Sequence, residues 1–325
     1  MARFARGDEH VELVLEGKSI VEGSTFGTAR KDLFDHRAAL IAYHKRVAEL
    51  LGDRWTRNSP FVDDVVASDE PPFAIDDADA SAVYRDWLLE RGDPRGELAA
   101  LRAAEKPLET AISSLERTRG VELFGGFAML PRTWREQVAF GWRAGWIDEI
   151  VITHANGVLV QPGELMHAAL HAPMARFARW LTVDPFYERT IPECIAPCSC
   201  TNRIIGLRLV SGGADRSVLA ALPALEELEL LDTDWVDGGH PNVSRIRLTI
   251  DFGGHQLDGE FPRLHRLDFV VRRAIGAARG MIQMMERPTI REVTIEAPQI
   301  LEMLMPRIEK LRDRMTIQIT IRPPD

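Results

Sequence analysis

Leu207-Arg-Leu209, Leu228-Glu-Leu230, Ile246-Arg-Leu248, Leu267-Asp-Phe269, Val293-Thr-Ile295 and Ile317-Gln-Ile319 write one pattern six times: two large apolar residues flanking one polar residue. Successive starts lie 21, 18, 21, 26 and 24 residues apart. Alternation at a period of two marks a strand with one buried face. Recurrence at about 20–29 residues marks stacked repeats, each too small to bury its own apolar face. If Leu207 and Leu209 face a core, Arg208 faces the other way, and the same parity sets Glu227, Glu229, Arg245, Arg247, Arg266, Asp268, Glu292 and Thr294 on one surface.

Working outward, Val218–Leu225, Ile275–Glu286 and Pro298–Arg312 have helical composition, and Glu164–Ala172 reads as an earlier element of the same kind. Met281, Met284, Met285, Met303, Leu304 and Met305 fill the apolar side of these helices as adaptable core packing. Ile150-Val-Ile152 and the region of Trp180 read as earlier, less regular strands. This arrangement resembles the leucine-rich repeats. The resemblance implies an α/β leucine-rich-repeat-like solenoid over residues 141–325, a parallel sheet backed by helices with one crossover per repeat.

On the expected concave face, Arg208, Glu229, Arg247 and Asp268 alternate in sign across neighbouring strands. Two readings stand side by side. The charges pair with each other and hold the strands in register, or they form a charge-patterned surface that rejects mismatched partners. Trp235, in the expected loop Asp232-Thr-Asp-Trp-Val-Asp-Gly-Gly239, is read either as a packed loop residue or as an aromatic anchor for a partner.

The N-terminal residues 1–57 carry Val11, Leu13 and Leu15 in alternation, a Gly17-Lys18 turn and Ile20-Val21, which predicts a two-stranded hairpin. Ala38, Leu40, Ile41, Tyr43, His44, Val47 and Leu51 then predict an amphipathic helix. This order, with Gly27-Thr28 and Phe34, resembles the WGR family, a small α+β domain, although Gly23-Ser24-Thr25 occupies the place of its naming motif. Some members of that family help to recognise nucleic acid. Arg3, Arg6, Lys18, Arg30 and Lys31 are the cations available here for such a role.

Residues 58–76 hold Pro60, Pro71 and Pro72 among many aspartates and read as an acidic extended linker. A helical segment over 77–140 follows. Tyr84, Trp87 and Leu88 share one helix face, Gly92 closes that helix, and Asp93-Pro94 opens the next. Tyr84-Arg-Asp-Trp-Leu-Leu-Glu-Arg-Gly-Asp-Pro-Arg-Gly-Glu-Leu98 resembles the bacterial repeat-companion domain, which precedes repeat arrays and supplies no catalytic residues to carry over. Trp142-Arg-Ala-Gly-Trp146 resembles the lead-in to the first array strand, and its tryptophans are expected as an apolar end cap.

Composition narrows the function classes. Of 325 residues, 45% are hydrophobic, and 49 acidic against 40 basic residues give a net charge of −9, which works against broad phosphate-backbone binding. No apolar run of membrane-spanning length occurs, the first nine residues are charged early, and only three cysteines are present, so a cytoplasmic protein with no membrane partner is expected. Cys194, Cys198 and Cys200, with His167 and His171 one helical turn apart, are the candidate metal ligands, but they lack the paired knuckles of common zinc sites. His-Glu-x-x-His, the phosphate-binding Gly-x4-Gly-Lys and the Gly-x-Ser-x-Gly elbow are absent. The sequence therefore leads to the expectation of a non-catalytic adaptor without cofactors. Its repeat face would bind a protein in bacterial signalling or conflict, through Arg208, Glu227, Glu229, Trp235, Arg245, Arg247, Arg266 and Asp268. Nucleic-acid binding by the N-terminal unit and a zinc-dependent role remain as alternatives.

Overall fold

A computed structural model describes residues 2–25, 27–52, 56–57, 69–154, 160, 162–184, 187, 191–192, 203–210, 212–214, 216–231, 233–250, 256–272, 278–297 and 305–321. Among these residues the fold is mixed α/β, with a nine-stranded, mostly parallel sheet backed by helices and a separate antiparallel sheet. The chain divides into two compact units. One comprises Met1–Val151, Ala155–Ala178 and Glu193–Cys200, and the other Ile152–His154, Arg179–Pro192 and Thr201–Asp325.

In the first unit, β1 (Ala2–Arg6), β2 (Glu9–Glu16), β3 (Ser19–Ser24), β4 (Gly27–Asp32) and β5 (Thr56–Arg57) form an antiparallel sheet in the order β4-β3-β2-β1-β5. The expected hairpin is its centre: Glu16 faces Ser19 across the Gly17-Lys18 turn. Helix α1 (His36–Gly52) closes the sheet's apolar side, so that Phe4, Val11, Leu13, Ile20, Tyr43, Val47 and Leu50 make one core. The two-stranded expectation was too small. Strand β4 is exposed at every position and shows no apolar alternation, since it is held by backbone pairing to β3.

The helical hairpin forms as read. α2 (Ala78–Glu90) is capped by Asp77, whose carboxylate accepts from the Asp79 and Ala80 amides, and α3 (Pro94–Ala103) is capped by Asp93 with Pro94 in its first turn. Gly92 supplies the left-handed backbone between them at φ +67°. α4 (Glu109–Phe124), α5 (Arg132–Arg135), the strands β6 (Val138–Arg143) and β7 (Trp146–Ile152), and α6 (Pro162–Leu170) follow.

Residues 58–68 of the expected linker lie outside the described residues. The remainder departs from that reading. Ile75 is buried, Phe73 stacks on Phe177 with ring centroids 3.8 Å apart, and Glu70 pairs with Arg176 at 2.7 Å while accepting from the Tyr84 hydroxyl at 2.9 Å. Trp146 joins this cluster edge-on to Phe73 and Tyr84, and its indole N–H donates to Ser81 Oγ at 2.8 Å. An acidic composition concealed one packed aromatic and one carboxylate that is buried against a part-exposed arginine.

In the second unit, β8 (Trp180–Val183), β9 (Gly206–Leu209), β11 (Glu227–Leu231), β13 (Arg245–Ile250), β15 (Arg266–Val271), β16 (Glu292–Ala297) and β17 (Thr316–Ile321) pair in parallel in that order. The six quoted patterns stand in register: Leu207, Leu228, Ile246, Leu267, Val293 and Ile317 form one row, and Leu209, Leu230, Leu248, Phe269, Ile295 and Ile319 the next. From Leu207 to Ile295 every member is buried.

The crossovers differ from expectation. α7 (Arg216–Ala220) stops short of the expected Leu225, whereas α8 (Ala278–Met285) and α9 (Met305–Leu311) fall within the expected helical segments, whose residues 275–277 and 298–304 lie outside the described residues. Met281, Met284 and Met285 are buried as expected, whereas Met303 and Leu304 lie outside the described residues. Between the sheet strands, β10 (Gly212–Ala214), β12 (Thr233–Val236) and β14 (Gln256–Leu257) form a second parallel sheet of three strands. Thus the β11–β13 connection is carried by a strand, and Trp235 lies in β12, opposite Gly213 and Gln256, not in a loop. Two- to four-residue strands carry too little periodicity to be read from sequence.

Candidate interaction face

The polar residues between the apolar rows come together as two registered rows. One reads Thr182, Arg208, Glu229, Arg247, Asp268, Thr294, Gln318, and the other Trp180, Gly206, Glu227, Arg245, Arg266, Glu292, Thr316. Every member of the sequence-predicted set except Trp235 is therefore on this face. Trp235 belongs to the smaller sheet, and its side chain lies outside the described residues.

The charges satisfy one another. Arg208 Nε donates to Glu229 at 2.7 Å and its guanidinium also reaches the Thr182 hydroxyl at 3.3 Å. Glu229 meets Arg247 on its other side at 3.7 Å. Arg245 bridges Glu227 at 3.2 Å and Asp268 at 2.5 Å, and Arg266 reaches Asp268 at 3.2 Å and Glu292 at 3.7 Å. The alternation read along the central row is only half of the pairing, because Asp268 turns diagonally to Arg245 instead of across to Arg247. Cross-strand neighbours at about 4.8 Å leave such diagonals within reach of an arginine.

Burial separates anchors from exposed members. The side chains of Asp268 and Glu229 are 8% and 12% accessible, while Arg247, Arg266 and Glu292 reach 40%, 40% and 56%. Burial pushes the Asp268 carboxyl up, but hydrogen bonds from Arg245 and Thr294 and the charges of Arg245 and Arg266 outweigh it and hold the group below the usual carboxylate range. The same pairing holds the Arg245 guanidinium above its ordinary value against desolvation. Trp180, which sequence reading placed only as a rough strand, floors one end of the face. A Cβ on Gly206 would stand 2.4 Å from its ring, and the Arg208 guanidinium lies 5.6 Å from the ring centroid. Nothing in the local sequence of Gly206 signals that contact, which depends on register between strands remote in the chain.

The other candidates resolve differently. His167 and His171 stack with ring centroids 4.7 Å apart, while Cys194, Cys198 and Cys200 lie outside the described residues, among which no group of three metal-binding side chains converges. His240 is buried: its Nε2 lies 3.0 Å from the Leu222 carbonyl and its Nδ1 accepts from the Asn242 amide. Burial pushes its pKa down, so it is a neutral structural tether. In the N-terminal unit, Arg3 pairs with Glu12, Arg6 with Glu9, and Arg30 with Glu16 and Asp32. No helix among the described residues is long and apolar enough to cross a membrane.

The chain matches no family model, no curated protein and no solved structure.

Proposed function

We propose that the second unit is a leucine-rich-repeat-like solenoid and that the chain is a non-catalytic recognition or adaptor protein. Its partner is another protein, received on the polar face of the parallel sheet, and the N-terminal WGR-like domain and repeat-companion-like hairpin accompany the array. One observation carries this reading: a continuous face in which buried Glu229 and Asp268 fix the arginines around them, leaving Arg247, Arg266 and Glu292 accessible in set positions. Side chains held before contact lose little freedom on binding, and fixed charges discriminate among partners more than they add affinity. The face lacks the convergent nucleophile and base of an acyl-transfer site, and its acids are engaged by arginines. Nucleic-acid binding by the N-terminal unit is the weaker reading, because three of its five candidate cations are paired with carboxylates.

The test is capture of partners from an extract of the native source by the full chain and by Arg247→Glu and Glu292→Lys. Both substitutions fall on accessible members and leave Asp268 with its arginines. The expected result is loss of at least one protein captured by the wild type, with cooperative thermal unfolding retained at a somewhat lower midpoint for Arg247→Glu, which stands between Glu229 and Asp268. Capture of the same proteins by both variants would contradict the proposal.

A further inference from the structure

Strand β17 ends the parallel sheet, and among the described residues no strand pairs with its outer side. Its sequence, Thr316-Ile-Gln-Ile-Thr-Ile321, contains no charge, no proline and no glycine. Proteins commonly guard a free edge with lysine, proline or a bulge, because its unpaired amides and carbonyls invite another strand. Here four of the six residues are exposed, and Ile321 remains 53% accessible. Ile317 and Ile319 continue the two apolar rows yet are only partly covered, whereas Val293 and Ile295 beside them are each 2% exposed.

The backbone defines what fits. The Thr316 amide donates to the Arg291 carbonyl at 2.8 Å, and Thr316 stands opposite Glu292. In a parallel ladder a residue directs its N–H and C=O to the same side, and successive residues alternate. Thr316, Gln318 and Thr320 therefore face β16, and Ile317, Ile319 and Ile321 direct three amides and three carbonyls outward.

We propose that this edge binds a second copy of the chain, with the two β17 strands antiparallel about a twofold axis at Ile319. That register sets Ile319 opposite its copy and Ile317 opposite Ile321, so every outward amide meets an outward carbonyl. It also keeps both apolar rows on one side of the joined sheet, because facing residues in an antiparallel pair share a face. On the polar side, Gln318 faces Thr320 of the other copy. Two identical edges meet without like-charge repulsion, since neither carries a charge, and a twofold interface requires such self-complementarity. A charged peptide would find no counter-charge along these six residues.

The experiment measures the mass of the full chain in solution by light scattering and sedimentation at increasing concentration. The wild type is expected to approach twice 36.5 kDa. The double variant Gln318→Lys, Thr320→Lys sets ammonium groups opposite each other and should halve that mass. So should the corresponding double glutamate variant. Both changes fall on the polar side and leave the outward backbone groups untouched, and a mixture of the two variants should recover the doubled mass. Thermal unfolding of each variant confirms that loss of mass is not loss of fold. A wild type that stays at monomer mass, a dimer that survives either charged variant, or failure of the mixture to associate overturns the proposal. Partner capture through Arg247 and Glu292 is a separate readout, so either proposal can fail alone.

Discussion

Asp268 shows how one side chain couples stability to pH. Its carboxyl titrates below the ordinary value in the folded protein, so its contribution is complete above about pH 4, where the unfolded carboxylate is also ionised, and is lost as pH falls through the folded value. Asp268→Asn leaves Arg245 and Arg266 without their shared counter-charge, and because both arginines are part-exposed and keep Glu227 and Glu292, the expected cost is that of weakened charge-assisted hydrogen bonds, about 1–2 kcal/mol. Urea midpoints of variant and wild type should differ most at neutral pH and converge in acid. Glu164 has the opposite sign. Burial pushes its pKa up to about 7, so ionisation destabilises the fold as pH rises from the ordinary carboxylate range to 7. Glu164→Gln should therefore raise the melting temperature at pH 8 and leave it nearly unchanged at pH 4.

At the scale of elements, the hairpin of α2 and α3 was legible because its signals are local. Gly92, Asp93 and Pro94 each act within a few residues, and each sits where its chemistry requires, while the Asp77 cap of α2 emerged only in the structure. Gly96 was part of the same motif, but its reason is tertiary. A Cβ there would stand 2.9 Å from the Arg85 carbonyl, Leu88 Cβ and the Leu89 amide, so α3 approaches α2 through the missing side chain. Gly96→Val should cost about 1–3 kcal/mol by overpacking, measured by denaturant unfolding. The apolar rows of the parallel sheet were equally legible, since Leu207 to Ile319 recur with their parity intact. The small sheet of β10, β12 and β14 was not. Gly212–Ala214 and Gln256–Leu257 are too short to show a period, and they pair only because the larger sheet brings their connections side by side. Phe73 and Glu70 were misread because composition reports the average of a segment, while burial acts on single residues.

For the whole molecule, the sequence located the candidate face but not its internal bonding. Parity alone assigned Arg208, Glu227, Glu229, Arg245, Arg247, Arg266 and Asp268 to one side, and the register bears out that placement. Which acid takes which arginine depends on side-chain reach across strands, and the Asp268–Arg245 diagonal has no signature in either local sequence. The two original readings of these charges are compatible in one surface. The buried acids hold the sheet's arginines in place, and the accessible Arg247, Arg266 and Glu292 are what a partner can meet. The most direct measurement is site-specific photo-crosslinking in extract of the native source, with a benzophenone side chain placed singly at Arg247, at Glu292 and, as a control, at exposed Val83 on α2. The same partner protein should be joined from positions 247 and 292 and none from 83. Adducts from 83 alone, or none from the sheet face, would contradict it.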